Sequence, residues 1–268
     1  MNSRRSTFIY AGLSIASLSC IAFLLVCPHR SDCLRSLTQA ATWLTYGGQV
    51  VQPLLIVSML AWLIRLSWIL AATLAWRRSL VPVATPAAIE AAAERIGVRR
   101  VVTVRGVQPE ALCAGAARPE VIITEAVAEA LDQPEIEAVL VHEQEHARRR
   151  EPLLRAGLQA AAEVFFYIPI IRWLAQRRLE ESELSADRTA LDRLGARPLA
   201  GALWVLGNGA VLRGVAAFGD AADLRVAQVL GEPIPRHRLA GSTLAVSATG
   251  ALLALQSGSC LAQAIAHL

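Results

Sequence analysis

Two histidines four residues apart, His142 and His146, with Glu143 directly after the first, form the pattern H-E-x-x-H in His142-Glu143-Gln144-Glu145-His146. On a helix, positions four apart lie one above the other on one face, so both imidazoles can reach a single metal ion. Glu143 then projects beside that ion, where its carboxylate can take a proton from a water molecule. This is the donor set of a zinc peptidase: two His ligands and a Glu general base. Catalytic zinc needs at least a third protein ligand and keeps one position open for water. Glu183 is the best candidate, about forty residues downstream in Glu180-Glu181-Ser182-Glu183-Leu184-Ser185-Ala186-Asp187-Arg188. Asp187, one turn after Glu183, can accept a proton from the far ring nitrogen of a ligand His and so fix its tautomer. Helix-surface histidines and a solvated acidic run would use the same residue types. The chain has five His in all, and two of them fall on the motif, which favours the metal reading.

The pattern carries weight only on a helix. Pro134 suits a first helical turn, with Asp132 or Gln133 before it as cap. Ile136, Val139, Leu140, Glu143 and His146 share one stripe, while Glu137, Glu145, Arg148 and Arg149 fall mostly elsewhere. Arg148 to Arg150 sit at the negative end of the helix dipole, where cations are favoured. A second helix over residues 180–194, stopped at Gly195, would lie across the first and bring Glu183 in. Ahead of the motif, residues 87–96 read as a helix ending at Gly97. Residues 100–104 and 121–124 read as β-branched strands, with Cys113-Ala114-Gly115 as a small-residue turn between them. An edge strand in front of the motif helix could hold an extended peptide by main-chain pairing. A purely structural hairpin fits the same residues.

The run from His142 to Leu154 resembles the antirepressor peptidases, peptidase family fifty-six, whose best-known members are beta-lactam-sensing signal transducers. There too a basic run and an acidic residue follow the zinc motif. Glu183-Leu184-Ser185-Ala186-Asp187-Arg188 is similar to the third-ligand motif of that family and of family forty-eight, the HtpX-type and CAAX prenyl proteases. Its Ala-Asp-Arg leans toward the HtpX side. The resemblance covers residues 80–235, where residues 224–230 look like a short Arg-containing element near the end of antirepressor-type domains. It implies a gluzincin with one Zn2+ per chain, held by His142, His146 and Glu183, with Glu143 as base. The implied substrate is a protein or peptide, a cytoplasmic repressor in the antirepressor reading, or damaged membrane proteins in the HtpX-like one. Beta-lactam sensors of the family continue into an extracellular penicillin-binding domain, for which this chain has no residues, so the trigger stays open.

The rest of the chain is expected to place this site on a membrane. Apolar residues make up 54% of it, and all 26 basic residues are Arg, a bias that suggests a GC-rich bacterial genome. Of 22 acidic residues, Asp32 alone precedes Glu90 and none follows Glu232, so the net charge of +4 sits on the ends. That placement gives no support to direct nucleic-acid binding. Residues 8–27 and 52–76 are long enough to cross a hydrocarbon core, with Gly47-Gly48 as a break before the second. Arg4, Arg5, Arg77 and Arg78 put both flanks in the cytoplasm by the positive-inside rule. Arg65 lies mid-span, roughly 18 Å from Arg77 along a helix, and needs a helix partner or a wet cavity. Residues 153–175 could be a third span or a membrane-apposed helix pair, but Arg155, Gln159, Glu163, Pro169 and Arg172 interrupt them, which favours packing on the domain or dipping into the interface and keeps the stretch on the cytoplasmic side. Residues 241–265 are free of charge and read as a last span. Cys27 and Cys33 could pair if their loop faces an oxidising space, or remain two thiols beside the bilayer.

The expected architecture is therefore a mainly α, multi-pass protein of a bacterial cytoplasmic membrane. It has a two-helix membrane region over 1–78, a cytoplasmic α+β peptidase domain with a small sheet over 79–239, and a C-terminal span over 240–268. Candidates for stabilising a tetrahedral oxyanion are Arg188, Tyr167 and His237. The rival from another class is a non-catalytic membrane signalling protein with a structural zinc site. Glu143 argues against it, because a closed structural site has no use for a base. Oligomeric state is not legible from the residues.

Overall fold

The computed structural model describes residues 40–98, 100–207, 222–234 and 238–266, with side chains between 54 and 255. The expected span over 8–27, Cys27 and Cys33, and His237 lie outside the described residues. The chain divides into two compact units, one of residues 64–163 and 171–239, the other of residues 1–63, 164–170 and 240–268.

Helix dominates. In chain order the elements are α1 (Ala40–Ser79), α2 (Ala87–Ile96), β1 (Val101–Val104), β2 (Ala111–Ala114), β3 (Glu120–Thr124), α3 (Val127–Ala130), α4 (Gln133–Arg148), α5 (Glu151–Val164), α6 (Pro169–Leu194), α7 (Ala196–Gly207), α8 (Ala222–Val229) and α9 (Gly241–Ala266). Within α1, Leu54–Ser79 is the one stretch among the described residues long and apolar enough to cross a membrane. Gly47 and Gly48 do not break α1 as expected; the helix runs through both. Each glycine costs an interior helix only about 1 kcal/mol, which a helix of this length absorbs.

In the larger unit, three strands form a sheet in the order β1-β3-β2. β3 pairs in parallel with β1 and antiparallel with β2, with Val101 opposite Val121 and Cys113 opposite Val121 on the other side. This corrects the expected turn at Cys113-Ala114-Gly115. Cys113 and Ala114 belong to β2, and the chain turns only at Gly115, whose φ of 108° suits glycine. The two expected strands are not hairpin partners but parallel neighbours. Central β3 is buried on both faces. Val121 and Ile123 pack with Ile89 of α2 and Ile136, Val139 and Leu140 of α4, while Ile122 packs with Val104 and Ala114 beneath Trp76 and Leu80.

The outer edge of β1 is covered. Pro82 bridges to Val104, the Val83 amide donates to the Thr103 carbonyl, and the Arg105 amide to the Val81 carbonyl. β2 is the other edge strand of the sheet. The expected helix over 180–194 begins earlier, at Pro169, and ends as expected before Gly195, with φ 85°. In the smaller unit, the Ile170 amide donates to Ser247 Oγ on α9, and Tyr167 stacks edge-on with Phe165 and Phe166.

Candidate metal centre

α4 is started by a capping box: Asp132 accepts from the Glu135 amide, and the Glu135 carboxylate accepts from the Asp132 amide, each at 2.9 Å. The apolar stretch Ala138–Val141 and both histidines are buried. Two acidic residues off the expected stripe, Glu137 and Glu145, are buried too. Glu137 pairs with Arg95, and Glu145 with Arg148 at 2.8 Å and Arg149 at 2.5 Å. Those two guanidiniums hold the Glu145 carboxyl down at about 2 against the opposing effect of burial.

His142 and His146 present their Nε2 atoms to one point, 3.0 Å apart. Glu183 from α6 closes on the same point, with Oε2 3.5 Å from His142 Nε2 and Oε1 3.7 Å from His146 Nε2. One donor atom from each of the three side chains lies within 4.8 Å of the other two. Bonds of about 2.0–2.1 Å to a tetrahedral zinc would set its ligands about 3.3 Å apart. The observed separations fit that size, and the two-imidazole, one-carboxylate set fits the chemistry of catalytic zinc.

Each imidazole is gripped from behind by a carboxylate. His142 Nδ1 lies 2.8 Å from Asp187 Oδ1, an ion-pair contact short of an aligned hydrogen bond. His146 Nδ1 meets Glu151 Oε2, which Ser182 Oγ also contacts. Glu151 reaches His146 because Arg150, at φ 53°, turns the chain sharply between α4 and α5. For a residue with a Cβ, that left-handed conformation costs roughly 1–2 kcal/mol.

Two arginines complete the arrangement. Arg225 of α8 donates from Nε and Nη2 to both oxygens of fully buried Asp187, each at 2.7 Å, and its Nη1 is 3.3 Å from Glu183 Oε2. Arg155 Nη2 donates to Glu183 Oε1 at 2.8 Å. Burial alone would lower the His142 pKa, but Asp187 and Glu183 outweigh it and raise it to about 9. Burial would lift the acids, yet His142, His146 and Arg225 hold Glu183 well below the carboxylate range. His142 and Arg225 hold Asp187 below it as well. Despite burial, Glu151 is held low by His146 and Ser182.

The centre opens on a cleft of about 360 Å³. Glu143 lines it beside both histidines, together with β2, with Ile69, Thr73 and Trp76 of α1, and with Leu203 and Leu206 of α7. Cys113 of β2 also lines it, and burial pushes its thiol pKa up. Edge strand and motif helix thus flank one groove, as β-strand addition of a peptide requires.

His142, Glu143, His146, Glu183 and Asp187 come together. Arg188 does not: it is exposed on α6, about 100° round the helix from Asp187 and outside the cleft lining. Tyr167 belongs to the smaller unit. Glu151, Arg155 and Arg225 join the site without a role legible from the sequence. Glu151 was visible as the acidic residue after the basic run, and Arg225 as the one Arg in its short element; nothing local marked Arg155.

A search of curated proteins found no match. The family model described as BlaR1 peptidase M56 matches residues 28–198, more than half the chain, from α1 through Glu183 and Asp187 on α6. The chain belongs to the BlaR1 peptidase M56 family.

Proposed function

We propose that the protein is an integral-membrane zinc endopeptidase that cuts a protein substrate at the cleft beside His142 and His146. The observation that carries this reading is the meeting of both Nε2 atoms with Glu183, each imidazole backed by its own carboxylate. When bound, zinc would lower the pKa of a water toward neutrality and polarise the scissile carbonyl. Glu143 takes the proton from the attacking water and delivers it to the leaving amine. Asp187 and Glu151 hold their histidines in the tautomer that leaves Nε2 free. Arg155 and Arg225 balance the charge of Glu183 and Asp187. Extended substrate pairs with the edge of β2.

The membrane part of the reading rests on Leu54–Ser79 and its terminal Arg77 and Arg78, which favour a cytoplasmic domain by the positive-inside rule. The layout is two spans within 1–78, the peptidase domain over 79–239 and a last span over 240–268. Family membership favours a signalling role, with a cytoplasmic repressor cut at one site. An HtpX-like quality-control enzyme would instead leave many unrelated cuts.

The test is zinc content per chain and proteolysis by the purified protein. Wild type should hold one zinc and cut, His146→Ala and Glu183→Ala should lose the metal, and Glu143→Gln should keep it without cutting. Cleavage by Glu143→Gln would sink the assignment.

A further inference from the structure

The cleft is built against the helix that the reading above places in the bilayer. Ile69, Thr73 and Trp76, spaced four and three residues apart, turn one face of α1 into a cleft wall. On other faces of the same turns, Trp68 is 68% exposed and Leu74 45% exposed. These turns are apolar toward the surroundings and toward the site at once.

α5 lies against them in the opposite sense. Pro152, Arg155, Ala156 and Gln159 line the same cleft as the α1 residues, and Glu163 pairs with Arg65. Arg65 precedes Arg77 by about 18 Å of helix, and half of a ~30 Å hydrocarbon core is about 15 Å. With Arg77 and Arg78 at the membrane surface, Glu163 reaches the mid-plane. Glu151, one ~18 Å length of helix earlier, then lies at surface level together with His146.

The composition of α5 suits that depth. Each of its three charges is paired: Glu151 with His146 and Arg155 with Glu183 on the inner side, and Glu163 with Arg65 in a pair that stays about one-third exposed. Leu153 and Leu154 are exposed, and Gly157, Leu158 and Ala161 continue the same stripe half-buried. Charges within a bilayer are tolerated when paired and turned inward.

We propose that the centre cuts membrane-anchored polypeptides where they leave the bilayer, with the scissile bond at headgroup level beside His142 and His146 and an adjoining apolar stretch of substrate lying between α1 and α5. The inference rests on the endopeptidase reading and narrows its substrate class. The cut consumes one water: the carbonyl carbon gains the oxygen, the C–N bond breaks, and the amine leaves with the proton from Glu143. A soluble repressor satisfies the requirement only through a segment that enters the membrane surface.

The experiment uses the full zinc-loaded chain in phosphatidylethanolamine–phosphatidylglycerol vesicles. Two probes carry one flanking sequence on the same transmembrane helix, either directly or behind a long polar spacer, so that local concentration is matched. Casein serves as a soluble probe. The direct probe should be cut near the membrane boundary, with the spaced one about tenfold slower or worse, a barrier difference near 1.4 kcal/mol. Equal rates on both probes, with casein cut by wild type and not by Glu143→Gln, would overturn this inference and leave the peptidase reading standing. No cleavage of any probe would overturn both. Independently of activity, photoreactive lipid should label Leu154, Leu158 and Ala161; label confined to residues 55–60 would overturn the placement of α5.

Discussion

Glu151 backs His146 as Asp187 backs His142, and this symmetry sets the expected sensitivity of a metal bound there. Glu151→Gln keeps the shape of the side chain and removes its charge. Zinc affinity, read by competition with a chromophoric chelator, should fall about 10–100-fold; an unchanged affinity would show that Glu151 has no hold on the metal. The His142 pKa of about 9 gives a second expectation. Raised above the ordinary value near 6.5, it stabilises the folded metal-free protein below that value, and the contribution fades as pH rises through about 9. Zinc bound to His142 would have to displace this proton. Metal affinity should therefore climb between those limits while metal-free stability declines, with close to one proton released per zinc at neutral pH in a dye assay. The meeting of His142, His146 and Glu183 was legible because their spacing is local to two helices. Arg225 and Arg155 were not, because each reaches Glu183 from a distant element and an isolated Arg has no periodicity.

At the scale of elements, the start of α4 was legible to within a residue, from Asp132 or Gln133 ahead of Pro134, whereas the Glu135 arm of the capping box was not read. β2 was not. Its residues Ala111-Leu112-Cys113-Ala114 include none that is β-branched, and pairing with β3 makes the strand. The parallel pairing of β1 with β3 was hidden for the same reason: it requires a strand between them in sequence that lies on the far side in space. The helix that carries the histidines also depends on α7. A Cβ on Gly201 would collide with the Glu135 carboxylate that closes the capping box. Gly201→Ala gains about 1 kcal/mol of helix propensity and gives up the Glu135 arm of the capping box, worth about as much, so denaturant unfolding should show a net change within about 1 kcal/mol; a loss well above that would mean that Glu135 cannot move aside.

For the whole molecule, a metal held by His142, His146 and Glu183 would join α4 to α6, so its removal should be felt globally. At a thousandfold excess over Kd it contributes about 4 kcal/mol, equivalent to roughly 10 °C in Tm for a domain of this size. A chelator should produce that drop in wild type and none in His146→Ala. Apolar length made the stretch ending at Ser79 legible, whereas the partner of Arg65 appeared only once α5 was folded beside it. That ion pair and the one between Arg77 and Glu120 have a mechanical consequence. Twelve residues at 3.6 per turn set Arg65 and Arg77 about 120° apart around α1. Two pins on different faces oppose axial rotation, so torque applied to α1 either breaks an ion pair or carries α5 and the β2–β3 hairpin round with the helix. Since α5 begins at the carboxylate that meets His146, twisting this helix strains the candidate metal centre itself.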